Sequence, residues 1–316
     1  PTPFAVGRVN CYLLEDEPLT LIDTGPNSGK ALDELQGQLA ERGHSIDDLE
    51  LVILTHQHID HLGLVEIIVE HSGADVAAIG VAAERLANFG VDAEREDQFA
   101  VDLMLRNGIP EEVAAALQSV SRSFRGWGST ARVTKPLENG QSLPFRDRVL
   151  QAYHRPGHSP SDTVFWDEER RILIAADHLI AHISSNPLIT PPLDGSAERN
   201  QALATYIESM RKTREMPAEI VLSGHGEPIV DHVALIDDRI AKHERRKEKI
   251  YGLIAERPRS GYELAQAIWG NVAVTQAFLT LSEVIGHTDL LVNEGRVREV
   301  DDGEVIRYEA RLGDVA

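Results

Sequence analysis

Thr55-His56-Gln57-His58-Ile59-Asp60-His61 holds three histidines and one aspartate within six residues. It directly follows Leu51-Val52-Ile53-Leu54, an apolar run with the length and branching of a buried strand. A loop leaving a strand end lets side chains at alternate positions turn toward one point. Imidazole nitrogen and carboxylate oxygen are zinc ligands, and iron and manganese suit the same set. A polar loop carrying histidines by accident is the competing explanation. The H-x-H-x-D-H spacing weighs against it.

One cluster rarely completes a metal site, so further ligands should end later strands. Pro156-Gly157-His158-Ser159 follows an expected strand at 149–153, and Ala175-Ala176-Asp177-His178 ends one at 172–176. Ser223-Gly224-His225-Gly226 follows another at 220–222, and Asp23-Thr24-Gly25 repeats the theme near the start. Glycine beside a ligand lets the backbone turn or approach closely.

The chain has 316 residues, enough for one large domain and a small one. With 31 basic and 51 acidic residues its formal charge is −20, which repels phosphate backbones and argues against nucleic acid as a partner. No apolar run reaches the ~20 residues of a membrane span, so no membrane partner is expected. A single cysteine, Cys11, excludes an internal disulfide and a Cys-rich zinc site, and points to a reducing, cytoplasmic setting. Thirteen histidines, several of them clustered, direct attention to metal chemistry.

The patterning divides the chain into 1–231, with short strands alternating with helices, and 232–316, with helices followed by a hairpin. The hairpin pairs 296–299 with 305–308 across Asp301-Asp302-Gly303. Within the first part, 84–135 reads as a helical insertion that walls the pocket. Its Phe124-Arg125-Gly126-Trp127-Gly128 joins aromatics and a cation to flexible glycines, and Phe124, Arg125 and Trp127 are the candidate substrate contacts. Residues 232–316 read as a packing or dimerising element, which allows a homodimer. The acidic turn at Asp301-Asp302 stands where a DNA-reading wing would want lysine or arginine.

The ordered set Asp23, His56/His58/Asp60/His61, His158, Asp177 and His225 resembles the metallo-β-lactamase superfamily over about residues 5–230. The resemblance implies an α/β fold, the αββα sandwich, with a two-metal site at one edge. It implies that His56, His58 and His158 hold one divalent ion, that Asp60, His61 and His225 hold the other, and that Asp177 bridges them. Zinc is the first expectation, with iron and manganese also suited. Asp23 is then an outer partner that orients ligands, and Asp60, Asp23 and His178 are the catalytic candidates. The implied activity is hydrolysis of a small ester, lactone or thioester by a water that the metals acidify. A metal-dependent endoribonuclease or phosphodiesterase is the alternative, with β-lactam hydrolysis as a side activity. Zinc β-lactamases of the best-known type carry cysteine where this chain has Asp177. Residues 232–316 resemble the winged-helix-like domain of the beta-lactamase-like protein 2 branch.

The remaining histidines have weaker claims. His178 either contacts substrate or is a buried, hydrogen-bonded neighbour of Asp177. His154 braces its loop, and His182 stays open between the two roles. His44, His71, His232, His243 and His287 read as ordinary surface or helix residues.

Overall fold

Runs such as Leu51-Val52-Ile53 are apolar at consecutive positions, so both faces of such a strand must be covered. The computed structural model, which describes residues 1–192, 199–301 and 303–311, meets that demand with two facing sheets. The first has the order β1 (Tyr12–Leu14), β2 (Thr20–Ile22), β3 (Leu51–Ile53), β4 (Asp75–Ile79), β5 (Lys135–Leu137). β1 and β2 are antiparallel, and the later pairs are parallel. The second comprises β6 (Gln141–Pro144), β7 (Val149–His154), β8 (Thr163–Asp167), β9 (Ile172–Ala176) and β10 (Ile220–Ser223). Its order is β10-β9-β8-β7-β6, with only β9 and β10 parallel.

Alternation along each strand assigns the faces. Ile22, Ile53 and Ala77 of the first sheet meet Ala152, Phe165 and Ile174 of the second in the layer between them. Leu21, Val52 and Val76 point the other way and pack with Leu39, Val65 and Ile68. Those three belong to the helices Gly29–Glu41 and Val65–Ser72. Each such burial contributes about 1.5–3 kcal/mol. Ser28 caps the first helix through the Ala31 N–H, and Gly73 ends the second in the left-handed conformation that glycine adopts without strain. The result is the expected αββα arrangement, with helices on the sheets and ligand-bearing loops at the strand ends.

The chain forms two compact units. The first is Pro1–Ala93, Phe124–Ser185 and Ser209–Val233, and the second is Glu94–Ser123, Asn186–Glu208 and Ala234–Ala316. They do not divide at 231/232, because part of the expected 84–135 insertion belongs with the C-terminal residues. The reason is apolar cover. Met104, Ile109 and Ala114 pack with Ile189 and Ala202, and with Ala277, Leu281 and Ile285 of the helix Ala277–Asn293.

A further core in the second unit joins Ile250, Ile254, Leu264, Val284, Leu291, Val297 and Tyr308. Ser260 opens the helix Gly261–Trp269 with a capping box to Glu263. The hairpin pairs β12 (Val297–Asp301) with β13 (Ile306–Ala310), and β11 (Arg259–Ser260) adds to β13. Asp302 of the acidic turn lies outside the described residues. Among the described residues no helix is long and apolar enough to cross a membrane. His232, His243 and His287, expected to be ordinary surface or helix residues, lie on helices and are buried.

Candidate metal centre

Each candidate ligand leaves the end of a strand. Asp23 follows β2, the His56–His61 loop follows β3, His158 follows β7, Asp177 follows β9 and His225 follows β10. The backbone is forced where it turns in, since Asp23 (φ 58°) and Ala176 (φ 43°) both have the left-handed conformation that non-glycine residues rarely take. A register shift at Leu222/Ser223 turns the chain ahead of His225. Gly224 is there because nothing larger fits. A Cβ at that position would come 2.1 Å from Asp177 Oδ1 and 2.8 Å from His61 Cε1.

The structure brings all seven candidate ligands together. His56, His58, His158 and Asp177 form one group whose ligand-type atoms lie within 4.8 Å of one another, and Asp60, His61 and His225 form a second. In the first, His158 Nε2 and His58 Nδ1 are 3.0 Å apart, and Asp177 Oδ2 is 3.5 Å from His158 Nε2. Toward the second, Asp177 Oδ1 is 3.4 Å from His61 Nε2 and 3.5 Å from His225 Nε2. Asp60 Oδ2 also stands 3.5 Å from His225 Nε2. The two oxygens of Asp177 thus face the two sets separately.

Outer partners decide which nitrogen of each ring faces inward. Asp23 Oδ2 lies 2.7 Å from His61 Nδ1, while its two oxygens also accept from the N–H and hydroxyl of Thr55 at 2.9 and 2.8 Å. Thr55 Oγ1 is 3.0 Å from His56 Nδ1, and the Arg8 carbonyl is 2.9 Å from His225 Nδ1. That leaves His56 Nε2, His61 Nε2, His225 Nε2 and Asp177 Oδ1 buried without hydrogen-bond partners. Orphaned ring nitrogens whose opposite nitrogens are all held are what metal ligation requires, so these residues fit divalent cations.

The electrostatics agree. Burial pushes His56 far down and His58 down to about 3, so both rings are neutral and present lone pairs. Burial also opposes charge on His225, but Asp177 and Asp60 outweigh it and raise the ring to about 9. His61 is raised in the same way, by Asp177 and Asp23 against burial. Three carboxylates therefore draw positive charge to the second group, and either protons or a cation can supply it. Asp162, pushed up to about 6 by its burial, accepts from the Ser159 N–H at 2.8 Å and braces the loop carrying His158.

The segment Phe124–Trp127 meets the metal loop within the first unit. The Trp127 carbonyl accepts from the Asn27 N–H at 2.7 Å, and a Cβ on Gly63 would come 2.2 Å from it. A Cβ on Gly128 would strike the Phe89 ring and Ile59 of the metal loop. Phe124 stacks at a tilt on Phe4, with centroids 5.4 Å apart, and Phe124, Arg125 and Trp127 are all part-exposed. His178 is different. Its ring is buried, with Nε2 2.9 Å from Thr213 Oγ1, so the catalytic role gives way to the other reading, a hydrogen-bonded neighbour of Asp177. His182 lies at Gly226, with Nδ1 2.7 Å from where a Cβ would stand. Sequence reasoning missed Asn10 and Tyr12, which hold the Ser223 carbonyl ahead of His225 at 3.0 and 2.6 Å. No local signal marks them, because their partner is more than 200 positions away.

Comparisons with known proteins give the family. The chain is 32% identical over 312 residues to a probable metallo-hydrolase, YqjP, of Bacillus subtilis, covering 98% of this chain and 95% of the relative. It is 22% identical over 242 residues to an atrochrysone carboxyl ACP thioesterase of Emericella nidulans, covering 76% and 59%. A beta-lactamase-like protein 2 homolog of Caenorhabditis elegans is 21% identical over 251 residues, covering 79% and 66%. A metallo-beta-lactamase family protein from Thermus thermophilus superposes with a TM-score of 0.80 at 26% identity, over 98% of this chain and 96% of that one. The family model matching residues 5–225 spans every candidate ligand, and with it the chain belongs to the metallo-beta-lactamase superfamily.

Proposed function

We propose that this metallo-hydrolase is dinuclear and cleaves a small ester, lactone or thioester. The observation that carries the reading is Asp177, whose two oxygens face two separate sets of buried, inward-turned histidines. When bound, two divalent ions, most simply zinc, supply Lewis acidity and an acidified water. The chain's own residues do the rest. His56, His58 and His158 would hold one ion, Asp60, His61 and His225 the other, and Asp177 both. Asp23 and the Arg8 carbonyl keep His61 and His225 in the tautomers this needs. Arg125 offers a fork for a substrate carboxylate or phosphate, and Phe124 and Trp127 offer apolar walls. The thioesterase name of one relative supports an acyl substrate over a phosphodiester, as does the net charge of −20. The order helix, short strand, three helices and hairpin in the C-terminal residues supports reading them as winged-helix-like.

The test is metal analysis of the purified chain and of Asp177→Ala, with a hydrolysis screen over acyl thioesters, lactones, aryl esters, a β-lactam and single-stranded RNA. Two ions bound by the histidine–aspartate groups of the first unit, fewer in the variant, and turnover confined to acyl substrates are expected. Full activity in Asp177→Ala, or cleavage of RNA alone, would defeat the proposal.

A further inference from the structure

We propose that His243, Glu283 and His287 form another divalent-cation site, for zinc or an ion of similar softness, inside the second unit. His243 lies on the helix His232–Glu256, and Glu283 and His287 lie at i, i+4 on the helix Ala277–Asn293. That spacing puts the latter two on one helical face. All three are buried, and their ligand-type atoms lie within 4.8 Å of one another. His287 Nδ1 is 2.6 Å from the Glu283 carbonyl. A carbonyl only accepts, so Nδ1 carries the proton in the neutral ring and Nε2 is left as a bare lone pair. This Nε2 faces His243 Nδ1 at 3.4 Å.

The separation suits ligation. With zinc–nitrogen bonds of ~2.0–2.1 Å, two nitrogens on a tetrahedral ion stand ~3.3–3.4 Å apart. Glu283 Oε1 lies 3.9 Å from His243 Nδ1, one side-chain adjustment from the same ion. Arg246 hydrogen-bonds that oxygen, which keeps a lone pair for a cation. Such an outer partner orients a carboxylate ligand in the manner of Asp23 on His61. Without an ion the two inner nitrogens can share at most one proton across their 3.4 Å contact. An ion here ties two helices of the second unit together, and its ligands are shared with none of the groups of the first unit.

The experiment counts ions. The full chain is stripped with chelator, re-equilibrated with Zn2+, desalted and analysed. His287→Asn keeps a donor for the Glu283 carbonyl but deletes Nε2, and His243→Gln deletes Nδ1. The wild-type chain should hold one zinc more than either variant, whatever number the first unit binds. Equal counts in folded variants overturn the proposal and leave a hydrogen-bonded imidazole pair. Should both variants fail to fold, the triple variant His56→Ala, His158→Ala, His225→Ala decides. It removes at least one member of every histidine–aspartate group of the first unit. It should still take up one Co2+ with the visible absorption of a nitrogen–oxygen site, and no uptake overturns the proposal.

Discussion

Asp23 shows how much one residue outside the ligand set can decide. Its carboxylate serves His61, the Thr55 N–H and the Thr55 hydroxyl at once, from a left-handed backbone that aspartate and asparagine tolerate better than most residues. Asp23→Asn therefore keeps the backbone and removes one acceptor together with the charge. We expect metal affinity ~10–100-fold weaker, the usual size of an outer-partner loss. Competition with a chelator measures it, and unchanged affinity would show that His61 needs no such anchor. At this scale the sequence was highly legible for ligands, since His56, His58, Asp60 and His61 are neighbours and the others end apolar strands. It was less so for roles. His178 sits beside Asp177 in sequence, yet adjacent side chains on a strand end point opposite ways, and its ring turns to Thr213. His243 and His287 do lie on helices, but the spacing of one helix cannot reveal that both are buried.

Elements carry the site through contacts between loops, and the Asp16–Arg148 pair is a case that titrates. Asp16 follows β1, and its buried carboxylate accepts from Arg148 Nε at 2.8 Å, the Glu17 N–H at 2.8 Å and the Asp147 N–H at 3.1 Å. Burial alone would raise its pKa, but these bonds outweigh it and hold the carboxyl below the usual range. With the unfolded value near ~3.9, the stabilisation is complete above that pH and is lost as pH falls through the lowered folded value. Asp16→Asn should cost about 1.5–3 kcal/mol at pH 7, as for hydrogen bonds to charged groups. Urea midpoints should show the gap to wild type narrowing below pH 4, and a gap that is constant with pH refutes the ion pair. The segment Phe124–Trp127 makes a second element-level prediction. Trp127→Ala and Arg125→Ala should retain metal yet reorder catalytic efficiencies among ester, lactone and thioester substrates, because discrimination comes from the walls. An unaltered order in both would place the walls elsewhere. Long apolar strands such as β9 and the Ser260 cap were readable from composition and capping chemistry. β5, β6 and β11 were not, because Lys135–Leu137 and Gln141–Pro144 each contain proline and Arg259–Ser260 is only two residues long.

For the molecule as a whole, the sequence suggested a cut at 231/232, where composition changes and a long charged helix begins. Composition reports what a segment is made of, whereas a unit is defined by what covers its apolar face. Met104 and Ile109 of the insertion, Ile189, and Leu281 and Ile285 of the C-terminal helix belong to one core assembled from three stretches of chain. Ending the chain at residue 231 removes the last of these and uncovers the other two. Each large side chain returned to water costs about 1.5–3 kcal/mol, and a whole domain has only ~5–15 kcal/mol to lose. The segments 94–123 and 186–208 would then present apolar helix faces to solvent while remaining threaded into the chain of the first unit. We therefore expect residues 1–231 expressed alone to aggregate, or to bind a hydrophobic dye and melt over a broad range, while the full chain melts in a single sharp transition. Replacing Leu281 and Ile285 with Ala in the full chain should reproduce part of that loss, with a lower melting temperature. A monomeric 1–231 chain that melts cooperatively near the full-length temperature would show that the first unit stands without the shared core, and that the boundary read from composition was the physical one.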